Sequence, residues 1–263
     1  MSLREKGKAR RKQQIIDAVV SILCDEGFAA LSTSKIAERA EVSVATLYNL
    51  MGSIDSILDV MVEQLSNEFK SAFKPITESQ DPIAIIEAVS DSAYEFLNQD
   101  IAKYQAILKA VFQINISRDH SAPVFLTANN NRTLFVSAIN QLQDSGRMLP
   151  DISAQLLSQQ MLVTQIFLLQ NWSAGVIDLE RYCDTSKFHF LLLIKAWAAP
   201  ELASELETRI LEIQSRIEAL DALKRKPQSS NASDSNDGGS LKTTRIEKEV
   251  ISHENRSLQE TGS

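Results

Sequence analysis

The sequence contains few of the residues that build disulfide scaffolds, metal sites or membrane spans. Only two cysteines, Cys24 and Cys183, occur in 263 residues, and neither belongs to a metal-binding or redox motif. Both fit buried thiols in a reducing cytoplasm. No apolar run approaches the roughly 18 residues that a membrane span needs. The basic start leads into a helical pattern containing Asp17, not into the apolar core of a secretory signal. We therefore expect a cytoplasmic protein without a membrane partner.

Catalytic motifs are also missing. The three histidines, His120, His189 and His253, are scattered along the chain. The sequence contains no HExxH, GxGxxG, GxxxxGK or GxSxG motif. The sequence therefore predicts no catalytic residue, no metal site and no cofactor, and we do not expect an enzyme.

Glycine and proline are sparse, with eight and six residues, and they fall between apolar patterns of helical period. We find no strand pattern and no internal repeat, so the fold class is predicted to be all-α. Outside residues 33–50, helices are expected over residues 10–26, 54–73, 82–97, 101–116, 123–144, 152–173, 184–198 and 201–223.

The last two predicted segments leave a choice open. In 201–223 the apolar residues alternate spacings of four and three, which is typical either of a coiled-coil seam or of a helix packed on its own domain. From 224 to 263 the chain is polar, with a Gly/Ser-rich stretch and few apolar residues. That composition predicts a disordered tail.

Charge is distributed unevenly along the chain. The net charge is −7, yet residues 1–12 carry six basic residues against the single acid Glu5. A cluster of this kind favours phosphate groups. We predict that residues 1–9 form a basic, disordered arm.

Residues 33–50 contain two short apolar patterns separated by a very short connection. Ile36, Ala37 and Ala40 share one helical face, and Leu47 and Leu50 share another. Ser43 suits the N-cap of the second helix. Two helices joined so closely must cross steeply, which indicates a helix-turn-helix. The alternative is a pair of surface helices in an ordinary bundle. The second helix would turn five residues outward, namely Val44, Ala45, Thr46, Tyr48 and Asn49.

Residues 10–65 resemble the N-terminal domain of the TetR family of transcriptional repressors. The matching positions are Ile15, Ile16, Gly27-Phe28, Ser32, Ile36-Ala37, Ala40, Val42-Ser43, Thr46-Leu47-Tyr48, Gly52-Ser53 and Ile57-Leu58. Three positions depart from the family pattern, with Glu41 for Gly, Met51 for Phe and Ile54 for Lys. The resemblance implies a three-helix DNA-binding domain over 10–53 and a larger helical ligand-binding and dimerisation domain over 54–223.

The predicted DNA contacts divide by side-chain chemistry. Hydroxyls of Thr33, Thr46 and Tyr48 can bond phosphate oxygens, and the resemblance supports the last two. Thr46 could instead bond within its own helix start, and Tyr48 could pack on the domain. The candidates for base edges are Lys35, Val44, Ala45 and Asn49, with phosphate neutralisation the favoured role for Lys35. The capping residue Ser43 completes the predicted DNA site.

A small-molecule effector site is implied by the resemblance, among the helices after the DNA-binding domain. The candidate residues are Tyr94, Tyr104, Phe112, Phe125, Phe135, Met161 and Gln165. Their chemistry favours an apolar or amphipathic effector. Aromatic residues at helical spacing more often form a plain hydrophobic core, which is the alternative for these positions.

These observations predict a homodimeric transcriptional regulator, a repressor that an effector releases from an inverted-repeat DNA operator. The family dimerises through its last two helices, which match 152–173 and 184–198. The alternative is an all-α interaction protein that kept the fold and lost specific DNA binding. Glu41, Ile54 and the near-neutral charge of residues 1–65, eight basic against nine acidic, motivate that alternative.

Overall fold

A computed structural model describes residues 2–72, 81–118 and 122–225. These residues form ten α-helices and no β-strand, so the all-α prediction is confirmed. The helices are α1 Leu3–Asp25, α2 Thr33–Arg39, α3 Val44–Met51, α4 Ile54–Ala72, α5 Pro82–Asn98, α6 Ile101–Arg118, α7 Ala122–Asp144, α8 Ala154–Ser173, α9 Leu179–Lys195 and α10 Pro200–Arg225. A 3₁₀ turn, Phe28–Ala30, lies between α1 and α2. No helix in these ranges is long and apolar enough to cross a membrane.

Local side-chain caps set most helix starts. Asp81 accepts a hydrogen bond from the backbone N–H of Ile83 at 3.2 Å, just before Pro82 opens α5. Asp100 accepts from the N–H of Lys103 at 3.1 Å and caps α6 in the same way. These caps confirm the predicted starts, because a capping side chain satisfies donors that the first helical turn leaves without partners.

The prediction of a disordered arm over residues 1–9 is wrong. Helix α1 begins at Leu3, and Ser2 and Glu5 form a reciprocal capping box. The Ser2 hydroxyl accepts from the N–H of Glu5 at 3.2 Å, and the N–H of Ser2 donates to the Glu5 carboxylate at 2.6 Å. The capping box satisfies backbone donors that would otherwise face water. The basic residues of this segment are therefore displayed on a helix.

The C-terminal helices share one core. Trp172 and Tyr182 are fully buried, and the rings of Phe135 and Phe190 pack edge to face with centroids 5.0 Å apart. These side chains join α7, α8 and α9, and α5 packs against α7 and α9.

Helix α10 packs on its own domain, which decides the open choice against an exposed coiled-coil seam. Leu206, Ile210 and Ile213 are buried in the common core. Ion pairs reinforce this contact, since Arg209 meets Glu87 on α5 at 2.9 Å. Helix α10 continues to Arg225, so residues 224 and 225 are helical. The rest of the predicted disordered tail, 226–263, lies outside the described residues, and so does the last residue of the helix predicted over 54–73.

Candidate nucleic-acid interface

Helices α2 and α3 form the predicted helix-turn-helix. The Ser43 hydroxyl caps α3 by accepting from the N–H of Thr46 at 3.1 Å, and Ser32 caps α2 by accepting from the N–H of Lys35 at 3.2 Å. In the turn, the N–H of Val42 donates to the carbonyl of Ala37 at 2.9 Å. The connection is thus closed by its own backbone hydrogen bonds.

Glu41 carries the unusual backbone geometry of that turn. Its φ is 54°, and it is the one non-glycine residue with positive φ in the described ranges. A side chain in this region costs about 1 kcal/mol because its Cβ crowds the following carbonyl oxygen. The resemblance leads one to expect glycine at position 41. The backbone there does adopt the left-handed conformation that glycine favours, but the residue is glutamate.

The inner face of the helix-turn-helix packs on α1. Ile36 and Leu47 are fully buried, and they share a core with Ile15, Val19 and Ile22 of α1. This burial fixes which face of α3 points outward, because the residues opposite Leu47 cannot reach the core.

The outward face of α3 consists of Val44, Ala45, Tyr48 and Asn49, all exposed. We call these four residues the α3 face. Their spacing of one, three and one places them on one side of the helix. Tyr48 is 50% exposed and Val44 38%, so Tyr48 does not pack on the domain. An exposed face this low in bulk can enter a DNA major groove, whose width admits an α-helix.

The hydroxyls at the start of α3 bond to each other. Thr46 is half-buried, and its Oγ1 lies 2.8 Å from the Ser43 Oγ. This geometry favours the alternative in which the Thr46 hydroxyl bonds within its own helix start. Thr33, the first residue of α2, is half-buried.

The cations of α2 are bound by carboxylates of α1 and its C-terminal cap. Lys35 forms an ion pair with Glu26, and Arg39 meets Asp25 at 2.8 Å and Glu26 at 3.2 Å. Arg39 also donates to the Ser21 hydroxyl at 2.6 Å. Hydrogen bonds from Arg39 and from Ser21 lower the pKa of Asp25. Sequence reasoning identified Lys35 as a DNA contact but missed this cluster, which no local spacing reveals.

The comparison with known families matches this part of the chain. Residues 15–61 fit the family described as bacterial regulatory proteins, tetR family. This match assigns a tetR-family DNA-binding domain to residues 15–61. The matched segment contains the second half of α1, the helix-turn-helix and the start of α4, which are the elements whose geometry is described above.

Curated relatives and solved structures extend the likeness. The chain is 30% identical over 132 residues to the HTH-type transcriptional regulator LuxR of Vibrio harveyi, covering 48% of this chain and 61% of the relative. It is 26% identical over 128 residues to the HTH-type transcriptional regulator BetI of Brucella canis, covering 44% and 65%. The chain therefore spans less than two thirds of these relatives.

Among solved structures, a TetR transcription regulator from Haloarcula marismortui has a TM-score of 0.58 at 19% identity, covering 73% of this chain and 100% of that one. The fatty acid degradation regulator FadR of Bacillus halodurans has a TM-score of 0.55 at 19% identity, covering 70% and 94%. At these identities the structures establish the TetR-like fold of the described helices.

Ile54, where the TetR pattern has Lys, is the first residue of α4. It is half-buried and packs against the common core, while Ser53 caps the helix by accepting from the N–H of Ser56 at 3.2 Å. Ile54 therefore covers apolar surface beneath the helix-turn-helix.

Five of the predicted effector residues are buried, namely Tyr104, Phe112, Phe135, Met161 and Gln165. Tyr104 packs on Phe96 with centroids 4.6 Å apart, and Phe135 packs on Phe190. Phe112 and Met161 are buried, and Tyr94 is half-buried. The side chain of Phe125 lies outside the described residues.

Gln165 belongs to a buried polar network that sequence reasoning missed. Its Oε1 accepts from Asn131 at 3.0 Å, and its Nε2 donates to the Tyr182 hydroxyl at 3.5 Å. Burial raises the pKa of Tyr182. The amide of Gln165 is therefore engaged by protein groups, as a buried amide must be. Within the described residues, no cluster of potential metal ligands occurs.

Proposed function

We propose that this chain is a DNA-binding transcriptional regulator, a repressor that binds an inverted-repeat operator as a homodimer and is released by a small-molecule effector. The observation that carries the proposal is the α3 face, exposed between the Ser43 cap and Gly52 on a buried helix-turn-helix. Asn49 can pair with adenine, and Val44 and Ala45 can contact thymine methyl groups. Tyr48 can donate its hydroxyl to a phosphate oxygen.

Phosphate groups are expected to bind a second element, the N-terminal part of α1, because the cations there are free within the described part of the chain. Because Lys35 and Arg39 are held by carboxylates, they contribute little free positive charge. The N-terminal part of α1 displays Lys6, Lys8, Arg10, Arg11 and Lys12, all exposed. Such cations release counterions when they neutralise phosphates, which stabilises binding to any DNA sequence.

A homodimer is supported by apolar residues that the single chain leaves exposed. On α8, Leu156, Val163 and Phe167 are 63%, 55% and 62% exposed and lie on one helical face. On α9, Leu192 is 40% exposed. Exposed apolar residues grouped in this way mark an interaction surface. A twofold contact through α8 and α9 would cover them and place two α3 helices on successive half-sites.

The effector is proposed to be apolar or amphipathic. This proposal depends on the aromatic content of the C-terminal core. One solved neighbour is named a gamma-butyrolactone receptor (TM-score 0.55, 12% identity, covering 80% of this chain and 98% of that one), and FadR is named for fatty acid degradation. The first name gives a small organic molecule, a gamma-butyrolactone, as the ligand of that neighbour.

Selection of bound fragments from host genomic DNA, followed by footprinting, tests the proposal. We expect two protected half-sites centred about one helical turn apart, or slightly more. Asn49→Ala should reduce selectivity at one base position per half-site by about 1–3 kcal/mol and leave binding to random DNA unchanged. A single asymmetric half-site would contradict the dimeric arrangement.

The alternative, an interaction protein that has lost specific DNA binding, is favoured by one observation. Glu41 lies in the turn of the helix-turn-helix, and the cations of α2 form ion pairs with carboxylates of the same domain. The surface of the helix-turn-helix is therefore poor in free positive charge. If genomic selection enriches no sequence and the footprint is absent at low salt, this alternative replaces the proposal.

A further inference from the structure

A concave cleft lies where the end of α1 meets α6. Its walls are Leu23 and Phe28 on one side and Ala106 and Ala110 on the other, and its volume is about 690 Å³. Pockets that bind small organic molecules usually measure about 300–1,000 Å³. The cleft is separate from the aromatic residues of the C-terminal core discussed above.

The space exists because the facing residues of α6 are small. Ala106 and Ala110 are one helical turn apart and present only methyl groups, with Ala110 2% exposed. Phe28 is half-buried and supplies an aromatic wall. These apolar surfaces would accept the body of a ligand with little desolvation cost.

The unpaired charge that lines the cleft is positive. Lys109 lines it, is exposed, and has no ion-pair partner among the described residues. Glu26 also lines the cleft, but Lys35 and Arg39 already neutralise it. An anionic group would therefore meet one free cation, and a cationic group would meet only a carboxylate that is already paired.

We propose that this cleft binds a small amphipathic organic anion. Its apolar body would lie between Phe28 and Ala106, and its carboxylate or sulfonate would lie at Lys109. The consequence for DNA depends on the proposed function. Because residues of both α1 and α6 line the cleft, an occupant that prefers one spacing of these helices would bias the position of α3.

Cys24 offers a reporter for occupancy, because it lines the cleft and is exposed, with its Sγ 3.9 Å from the carbonyl of Ala102. The other cysteine, Cys183, is 8% exposed, and burial raises the pKa of its thiol to about 12. Desolvation and the nearby carboxylate of Asp100 also raise the pKa of the Cys24 thiol, but Cys24 is exposed. N-ethylmaleimide should therefore modify Cys24 and leave the buried Cys183 largely intact.

The test uses anilinonaphthalene sulfonate, an aromatic anion, as the probe and needs no DNA. The full chain is alkylated with and without saturating probe, and modification at Cys24 is followed by peptide mass spectrometry. We expect the probe to slow alkylation of Cys24 at least about fivefold and to bind with saturable fluorescence. Unchanged alkylation of Cys24 would overturn the proposal, since the probe would then be bound elsewhere.

Two substitutions by larger side chains should fill the cleft, each from a different wall. Ala106→Phe acts from α6, and Ala29→Trp acts from the exposed 3₁₀ turn, which should leave folding intact. Each should abolish the probe's protection of Cys24 and weaken probe binding about tenfold or more. Full probe affinity in both folded variants would overturn the proposal.

The charge contribution is tested on one helix with a matched control. Lys109→Gln should weaken probe binding about three- to fivefold at low salt, with a smaller effect at high salt. Lys103→Gln removes the same charge six residues earlier, from a residue that does not line the cleft, and should have a clearly smaller effect than Lys109→Gln. Equal effects of the two substitutions would contradict a specific role for Lys109. Because none of these measurements involves DNA, they remain valid if the proposed function fails.

Discussion

Glu41 adopts a left-handed backbone conformation, with φ 54°, that favours glycine. Its replacement by glycine should therefore stabilise the fold. Glu41→Gly removes the Cβ and should raise the free energy of unfolding by about 1 kcal/mol. A denaturant titration measures this as a higher midpoint at unchanged slope. The same substitution removes a negative charge from the turn, which should tighten DNA binding if this turn approaches the phosphates.

Glu41→Gln separates these two effects. It removes the charge but keeps the Cβ, so it should share the change in DNA affinity without the increase in stability. If Glu41→Gly is no more stable than Glu41→Gln, the backbone at this position is not strained, and the φ of 54° carries no energetic cost.

Ile54 tests how the domain meets DNA. In the TetR pattern a Lys here reaches a phosphate, so Ile54→Lys should bind one further phosphate per subunit and two per dimer. The slope of log affinity against log salt should then steepen by about 1.8, equally for specific and random DNA. Because Ile54 is half-buried, the substitution should cost about 1 kcal/mol of stability.

Leu211→Lys is the matched control, since Leu211 is 54% exposed on α10 and the substitution adds the same charge outside the helix-turn-helix. It should leave the salt slope unchanged. An unchanged slope for folded Ile54→Lys would mean that the start of α4 does not face the DNA backbone.

Helix α1 combines two roles along its length. Its second half packs under α2 and α3, whereas its first half is exposed and basic. Replacing Lys6, Lys8, Arg10 and Arg11 together by Gln should keep the helix, because Gln has a similar helix propensity. The salt slope should become shallower by about 0.9 for each phosphate that the variant no longer neutralises.

A salt titration of this fourfold variant is compared with one in which the same lysines become Arg and the same arginines become Lys. The charge-preserving variant should keep the original slope. If the Gln variant also keeps it, the first half of α1 does not bind phosphates, and another source of positive charge must be sought.

The proposed homodimer depends on the exposed apolar residues of α8. Phe167→Glu places a charge in the proposed twofold contact, where it would be buried twice without a partner, a costly arrangement. We expect light scattering at micromolar concentration to give a dimer mass for the original chain and a monomer mass for the variant. Leu211→Glu, a control of similar exposure on α10, should remain dimeric.

A monomer mass for the original chain would contradict the dimer outright. A dimer that survives Phe167→Glu would place the contact on another surface. In either case the apolar residues of α8 would need a different partner, since exposed apolar groups of this size indicate an interaction surface.

Much of the helical structure could be predicted from the sequence because its causes act over a few residues. Ser43 caps α3 as expected, Asp81 and Asp100 cap helices at their predicted starts, and the apolar spacing identified the buried face of α2. The start of α1 could have been predicted in the same way, since Ser2 and Glu5 have capping-box spacing. The strong charge of that segment was instead interpreted as disorder.

The interface and the cleft depend on contacts between distant parts of the chain. The spacing of α3 showed which of its residues face outward, but not that Lys35 and Arg39 would be neutralised from α1. The Gln165 network joins three helices, and the cleft brings Cys24 of α1 beside α6, whose Ala102 is 78 positions away. Caps and periodicity act between neighbours in the chain, whereas these sites arise from packing, which brings together residues whose pairing leaves no local pattern.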